Sequence, residues 1–201
     1  MPNWVYNTLT ITGNAEQVER FAEQAARPGQ FRDGEKSLSQ LSFWNFIKPD
    51  ESIMGEYWGE EPRKATLAEA MKHDTNHWYD WNVRNWGCKW DASNVNFEDW
   101  DGELAYDFDT PWSPPVEALD AMCEQFPQLV IEMRSVEEQG WGMEYIADED
   151  GVRLIKEWDI PDTHEESIER KGWCNCEEMH DDELEWAYAD CPRKKEMVSN
   201  G

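Results

Sequence analysis

The sequence predicts an α+β fold: an antiparallel or mixed sheet with helices on one face. Three observations lead there. Several segments alternate apolar and polar residues at period two. Stretches between them repeat their apolar residues at period 3.6. Gly-Asn and Asp-Gly pairs stand where one element must turn into the next. The length of 201 residues suits one domain with additions. Apolar residues make up 39%, low for a globular chain, and the mean hydropathy is -0.88. Thirteen Trp offset this, because each aromatic ring can bury ~150–250 Å².

WVYNTLTITG, residues 4–13, alternates and is β-branched, so it reads as a strand that turns at Gly13-Asn14. AEQVERFAEQAA follows with Val18, Phe21, Ala22 and Ala25 at helical spacing, and Arg27-Pro28-Gly29 ends it. Residues 28–40 are polar and read as a loop. LSFWNFIKP, 41–49, has the composition of a strand closed by Pro49. Residues 50–64 look irregular. A helix is expected from Thr66, where Glu69 completes a capping box, breaking near Asp74.

HWYDWNVRNWGCKWDA, 77–92, is the densest aromatic stretch. Trp78, Trp81, Asn85 and Trp86 share one helical face, and Gly87 suits the position after the helix. The plain reading places this stripe in the core. The alternative is a stacking face for a small ligand or nucleotide, made by Trp78, Trp81, Trp86 and Trp90.

SNVNFEDW and ELAYDFDT read as two strands joined through Asp101-Gly102. Pro114-Pro115 opens a helix carrying Val116, Leu119, Met122, Cys123 and Phe126. LVIEMRSVEEQ is a further strand, and a hairpin follows around Asp150-Gly151. This order fits a split β-α-β arrangement of the ferredoxin-like kind. It covers 1–158, with a helical insertion at about 50–90. Residues 159–201 form an acidic appendage, expected to be helical. Thr163 and Glu166 make a capping box, 177–191 a short helix, and the last eight or so residues fray.

Three segments, PNWVYNTLTITG, WYDWNVRNWGCKWDA and FDTPWSPPVEAL, resemble the YubB-type ferredoxin-like proteins of bacteriophages and conjugative plasmids. The likeness spans roughly residues 1–158. It implies a ferredoxin-like fold and carriage by mobile elements. That family has no established biochemical function, so it supplies no catalytic residues. Its members commonly have a small hydroxyl residue where this chain has Cys88, which argues against a thiol role there.

Charge narrows the function further. There are 44 acidic and 18 basic residues, a formal charge of -26. Such a chain repels a phosphate backbone, so direct nucleic-acid binding is not expected. From Glu137 to Asp190 there are 19 acidic and 4 basic residues. That local excess suggests a non-enzymatic interaction protein of a phage or plasmid, with a nucleic-acid-mimicking surface for a basic host protein such as a DNA-binding or defence factor. Glu177, Glu178, Asp181, Asp182, Glu183 and Glu185 would carry the contact. Plain solubility is the competing explanation.

Catalysis finds little support. No GxSxG, Walker, GxGxxG or HExxH pattern is present. Glu98, Asp99, Asp101, Asp107 and Asp109 sit among apolar residues as a solvated strand face would. His73 and His77 are four apart, but the intervening Asp74-Thr75-Asn76 weakens a shared helix face. Five Cys, an odd number, do not suggest a disulfide framework. No cofactor is expected, with one exception: Cys174, Cys176, His180 and Cys191 offer four soft ligands, the set a tetrahedral zinc uses. Ordinary cysteines of a helical tail are the plainer reading. The N-terminus shows no secretory pattern and no run approaches a membrane span, so a cytoplasmic protein of the host cell is expected, with no membrane partner. The sequence does not specify an oligomeric state.

Overall fold

Nine alternating residues make the central strand, β1, Trp4–Thr12. Val5, Asn7, Leu9 and Ile11 point to the buried face. This computed structural model describes residues 3–30, 36–62, 64, 66–100, 102–174, 176, 179 and 187–199. Helix α1, Ala15–Ala25, starts where the Asn14 side chain accepts the Glu16 N–H. It buries Val18, Phe21 and Ala25. A small ladder, β2 (Gly29–Gln30) with β3 (Lys36–Ser37), follows.

Six strands form the main sheet, all paired antiparallel. They are β1, β4 (Ser93–Trp100), β5 (Glu103–Pro111), β6 (Val130–Glu137), β7 (Gly142–Asp148) and β8 (Gly151–Trp158). Their order is β4-β5-β1-β6-β7-β8. Helix α1 leads from β1 toward β4, and α5, Val116–Gln125, leads from β5 to β6. Two split β-α-β units therefore interlock around β1, and this is a ferredoxin-like domain extended by the β7–β8 hairpin. One cluster joins Leu9, Ile11, Leu104, Tyr106, Phe108, Ile131 and Met133 of the sheet to Phe21, Leu119 and Met122 of the helices.

Polar groups inside this core are paired. Asn7 donates to the Thr110 hydroxyl at 2.9 Å and to the Phe108 carbonyl at 3.3 Å, and it accepts the Ser135 hydroxyl at 2.7 Å. One side chain thus links three central strands. The opposite face is open and mixed in charge. Asn96, Asp107, Thr8, Arg134, Glu144 and Lys156 stand in one row across it.

The segment 41–49, just before the insertion, departs from expectation. Instead of a strand, Phe43–Asn45 makes a 3₁₀ turn. Leu41, Ser42, Phe43 and Trp44 are buried in succession, which a one-faced strand cannot do. The Asp91 carboxylate caps the turn, accepting the Phe43 N–H and the Ser42 hydroxyl. The β-like composition reflects burial, not pleating. Helices α2 (Met54–Tyr57) and α3 (Leu67–Ala70) are single turns. The Thr66–Glu69 capping box forms, but His73 adopts a left-handed φ of 47° and turns the chain away. The Trp-rich helix α4, Trp78–Trp86, then packs on α5.

Helix α6, His164–Lys171, begins at Thr163, which accepts the Glu166 N–H. It anchors to the sheet where Arg134 donates to the Arg170 carbonyl at 2.8 Å. The expected helix over 177–191 falls largely outside the described residues. At the C-terminus the structure corrects the expected fraying: Pro192–Ser199 is helix α7, with Pro192 at its first position, where no N–H is needed. Among the described residues no helix is long and apolar enough to cross a membrane.

Candidate functional site

Gly87 determines how the Trp-rich helix ends. Its positive φ reverses the chain in a left-handed turn. The Ser113 hydroxyl holds its carbonyl at 2.6 Å. The chain then runs back through Cys88 and Trp90 to Asp91. Cys88 is fully buried and donates to the Trp90 carbonyl at 3.1 Å. Burial pushes its thiol well up, so it is an inert packing group.

This return path, the 43–45 turn and α2 enclose a cavity of about 350 Å³. Six rings line it: Trp44, Tyr57, Trp58, Trp78, Trp86 and Trp90. Trp81 lies beneath, 5% exposed, edge-on to Tyr57 at 5.6 Å and to Trp86 at 5.9 Å. Trp90 is 37% exposed. The aromatic face is therefore divided: Trp81 and Trp86 are both buried, Trp86 with an edge on the cavity wall, whereas Trp78 and Trp90 border open space.

Polar groups of the wall are few. Tyr57 donates its hydroxyl to Asn82 at 2.8 Å, and Asn82 donates to the Lys89 carbonyl at 2.9 Å. Asp91 is the one charged lining residue among those described. Burial pushes its carboxyl up, outweighing the bonds from Ser42, Phe43, Ala92 and Trp44. Just outside, the Lys89 ammonium lies 4.8 Å from the Trp90 ring centre, 5.8 Å from Trp78, 5.3 Å from Tyr79 and 5.1 Å from Trp112. A cation already rests against two of the cavity's rings.

A second polar centre supports α4 from outside. Asp80, 1% exposed, accepts Lys64 Nζ at 2.6 and 2.5 Å, the Thr75 hydroxyl at 2.6 Å and His73 Nδ1 at 3.2 Å. Burial alone would raise its pKa. The Lys64, Thr75 and His73 bonds prevail and hold it at about 2. His73 and His77 converge on no shared site: His73 serves Asp80, and His77 precedes α4 as a buried residue.

The cysteines meet in the appendage. Cys174, Cys176 and Cys191 are buried together with Ala187 in a cluster separate from the main core. All are free thiols. Cys174 and Cys191 are both within hydrogen-bonding reach of the Cys176 thiol, which burial pushes up. Burial opposes ionisation of Cys191 too, but the Cys176 thiol and the Lys194 and Arg193 N–H groups outweigh it and lower its pKa. His180 lies outside the described residues. His164, which spacing did not single out, is the histidine beside the thiols, with Nδ1 3.4 Å from Cys176 Sγ.

The proposed partner contacts, Glu177, Glu178, Asp181, Asp182, Glu183 and Glu185, also lie outside the described residues. On the open sheet face a shallow concavity of about 270 Å³ gathers Arg134, Arg170 and Lys171 beside Tyr6, Thr8 and Trp173. Its cations are engaged: Arg134 with Glu144 at 3.3 Å, Arg170 with Glu166 at 3.4 Å, and Lys171 over the Trp173 ring at 3.9 Å.

Sequence reasoning missed Trp44, Tyr57, Trp58 and Asp91 as cavity residues. The available signal was aromatic density at 43–58, which reading 41–49 as a strand obscured.

Comparison with known proteins agrees with the fold: residues 85–181 are similar to a family described as the ferredoxin-like domain in Api92-like protein. No curated protein matches the sequence. Among solved structures, the chain is similar to the crystal structure of a protein api92 from Yersinia pseudotuberculosis, at 12% identity and a TM-score of 0.48, covering 80% of this chain and 99% of that chain.

Proposed function

We propose that this protein is a non-enzymatic binding module whose Trp-lined cavity takes a small organic cation with an apolar body, such as an alkylated ammonium. One observation carries the reading: six aromatic rings converge on about 350 Å³ whose charged lining residue is a carboxylate, Asp91. Ring faces attract cations by about 0.5–2 kcal/mol each. A net charge of -26 raises the local concentration of cations. The wall's hydroxyl and amide groups hold one another in place, an arrangement suited to binding. Nucleotides fit less well, since among the described lining residues a phosphate would face a carboxylate and no cation.

Calorimetric titration with choline and with its neutral carbon isostere, 3,3-dimethylbutan-1-ol, separates charge from shape. Choline is expected to bind more tightly. Trp78→Ala and Trp90→Ala should each weaken it about fivefold, the equivalent of ~1 kcal/mol. Equal binding of the two compounds, tighter binding of adenosine monophosphate, or no binding of either compound would refute the proposal.

The acidic, nucleic-acid-mimicking inhibitor of a basic host protein rests on net charge alone. The mixed open face adds nothing to it. Carriage by a phage or plasmid rests on the resemblance to the YubB-type family, and residence in the host cytoplasm follows from that origin.

A further inference from the structure

We infer that the C-terminal appendage is organised by a structural zinc ion bound to Cys174, Cys176, Cys191 and His164. The ligand atoms of His164, Cys176 and Cys191 all lie within 4.8 Å of one another. Tetrahedral zinc with Zn–S of ~2.3 Å and Zn–N of ~2.0–2.1 Å places its sulfurs ~3.8 Å apart and sulfur and nitrogen ~3.6 Å apart. The Cys176–His164 separation of 3.4 Å matches the second spacing. Cys174 lies outside this set but within hydrogen-bonding reach of the Cys176 thiol, and a turn of its side chain supplies the fourth ligand.

The surroundings suit a metal. Among the described residues, the buried part of the appendage core is three thiols and Ala187, flanked by the half-buried Ile168, Met179 and Tyr188. Small modules whose core is built around thiols commonly depend on a metal or a disulfide. The ligands are also held from behind. Cys191 sits at the start of α7, where the Arg193 and Lys194 N–H groups point at its sulfur. The neighbouring Asp190 carboxylate accepts the His164 N–H at 2.8 Å, and Arg193 donates to the Cys176 carbonyl at 2.6 Å. The positions of His164, Cys176 and Cys191 are thus tied to one another, the kind of outer-shell support that metal sites use. Four protein ligands leave no open position, so the ion has a structural and not a catalytic role. The soft thiolate-imidazole set selects zinc over calcium or magnesium.

This inference is independent of the aromatic cavity. Its test uses the full chain, loaded with zinc in reducing buffer, desalted and analysed for metal by mass spectrometry. One zinc per chain is expected. Cobalt substitution should show the visible bands of tetrahedral Co(II) and a thiolate charge-transfer band. His164→Ala should weaken zinc binding by roughly 10–100-fold. His180→Ala should leave it intact. Because the appendage cluster is separate from the main core, circular dichroism of the sheet should persist when a chelator removes the metal, while the melting temperature falls. A wild-type chain that holds no zinc after loading, a disulfide among the three cysteines in its place, or zinc lost in His180→Ala and kept in His164→Ala overturns the inference.

Discussion

Replacing Asp80 with Asn isolates one buried charge that ties the insertion to the Trp-rich helix. In the native protein the carboxylate joins Lys64, His73 and Thr75 to α4. Its pKa is about 2, against an ordinary 3.8. A depressed carboxyl contributes stability that is complete above the unfolded pKa and is lost as pH falls through the folded one. A displacement of this size corresponds to about 2.4 kcal/mol at pH 7, falling to about half near pH 3. Asn also leaves the largely buried Lys64 ammonium without its counter-charge. The expected loss at pH 7 is therefore about 2–3 kcal/mol, or roughly 5–10 °C in melting temperature for a chain of this length. The assay is urea unfolding of wild type and variant between pH 7 and pH 3. The gap should narrow as pH falls, because the carboxyl of the unfolded wild type takes up its proton in this range while the folded one stays largely ionised. A gap of constant size down to pH 3 would show that shape, not charge, is lost. A gap at pH 7 no larger than an exposed ion pair gives, ~0.5 kcal/mol, would show that the pair does not stabilise the fold.

Other expectations follow from the same geometry. Trp81→Ala should cost about 3–5 kcal/mol in urea unfolding, whereas Trp90→Ala, at the partly exposed rim, should cost about 1–2 kcal/mol. Gly87→Ala should lower the melting temperature by several degrees, because a Cβ there would lie 2.9 Å from the Val116 nitrogen and 3.0 Å from the Pro114 carbonyl, on backbone with a left-handed φ. Asn7→Ala should cost about 2 kcal/mol by chemical denaturation, the scale of one buried polar group left unsatisfied. The group in question is the Ser135 hydroxyl, which would lose its acceptor.

Local rules make much of the chain legible. Strand β1 alternates cleanly because one of its faces is buried and the other wet. The Thr66–Glu69 capping box forms as its spacing requires, and Thr163 caps its helix, although Glu166 reaches back to the Asp162 N–H and does not close the box on Thr163. The sheet's β4–β5 hairpin follows from Asp101-Gly102, and Gly102 does take the left-handed φ. The 41–49 segment defeats local reading for a physical reason. Aromatic and β-branched residues are enriched both in strands and in any fully buried turn. The cap that decides between them is Asp91, 48 residues from Phe43.

The candidate sites divide in the same way. The types of residue were visible: a run of indoles, and three cysteines close to a chain end. Partnership was not. Whether an indole faces packed atoms or open space depends on what the 43–58 segment places opposite it, so Trp81 and Trp78, three residues apart on one helix, meet different fates. Which histidine joins the thiols depends on α6 and α7 bringing their first turns together, through Asp190 and His164. Sequence alone determined the ferredoxin-like scaffold, because periodicity, capping and turn chemistry act over a few residues. Only the tertiary structure decided the cavity and the thiol-histidine cluster, because both join groups far apart in the chain whose spacing in space is set by packing.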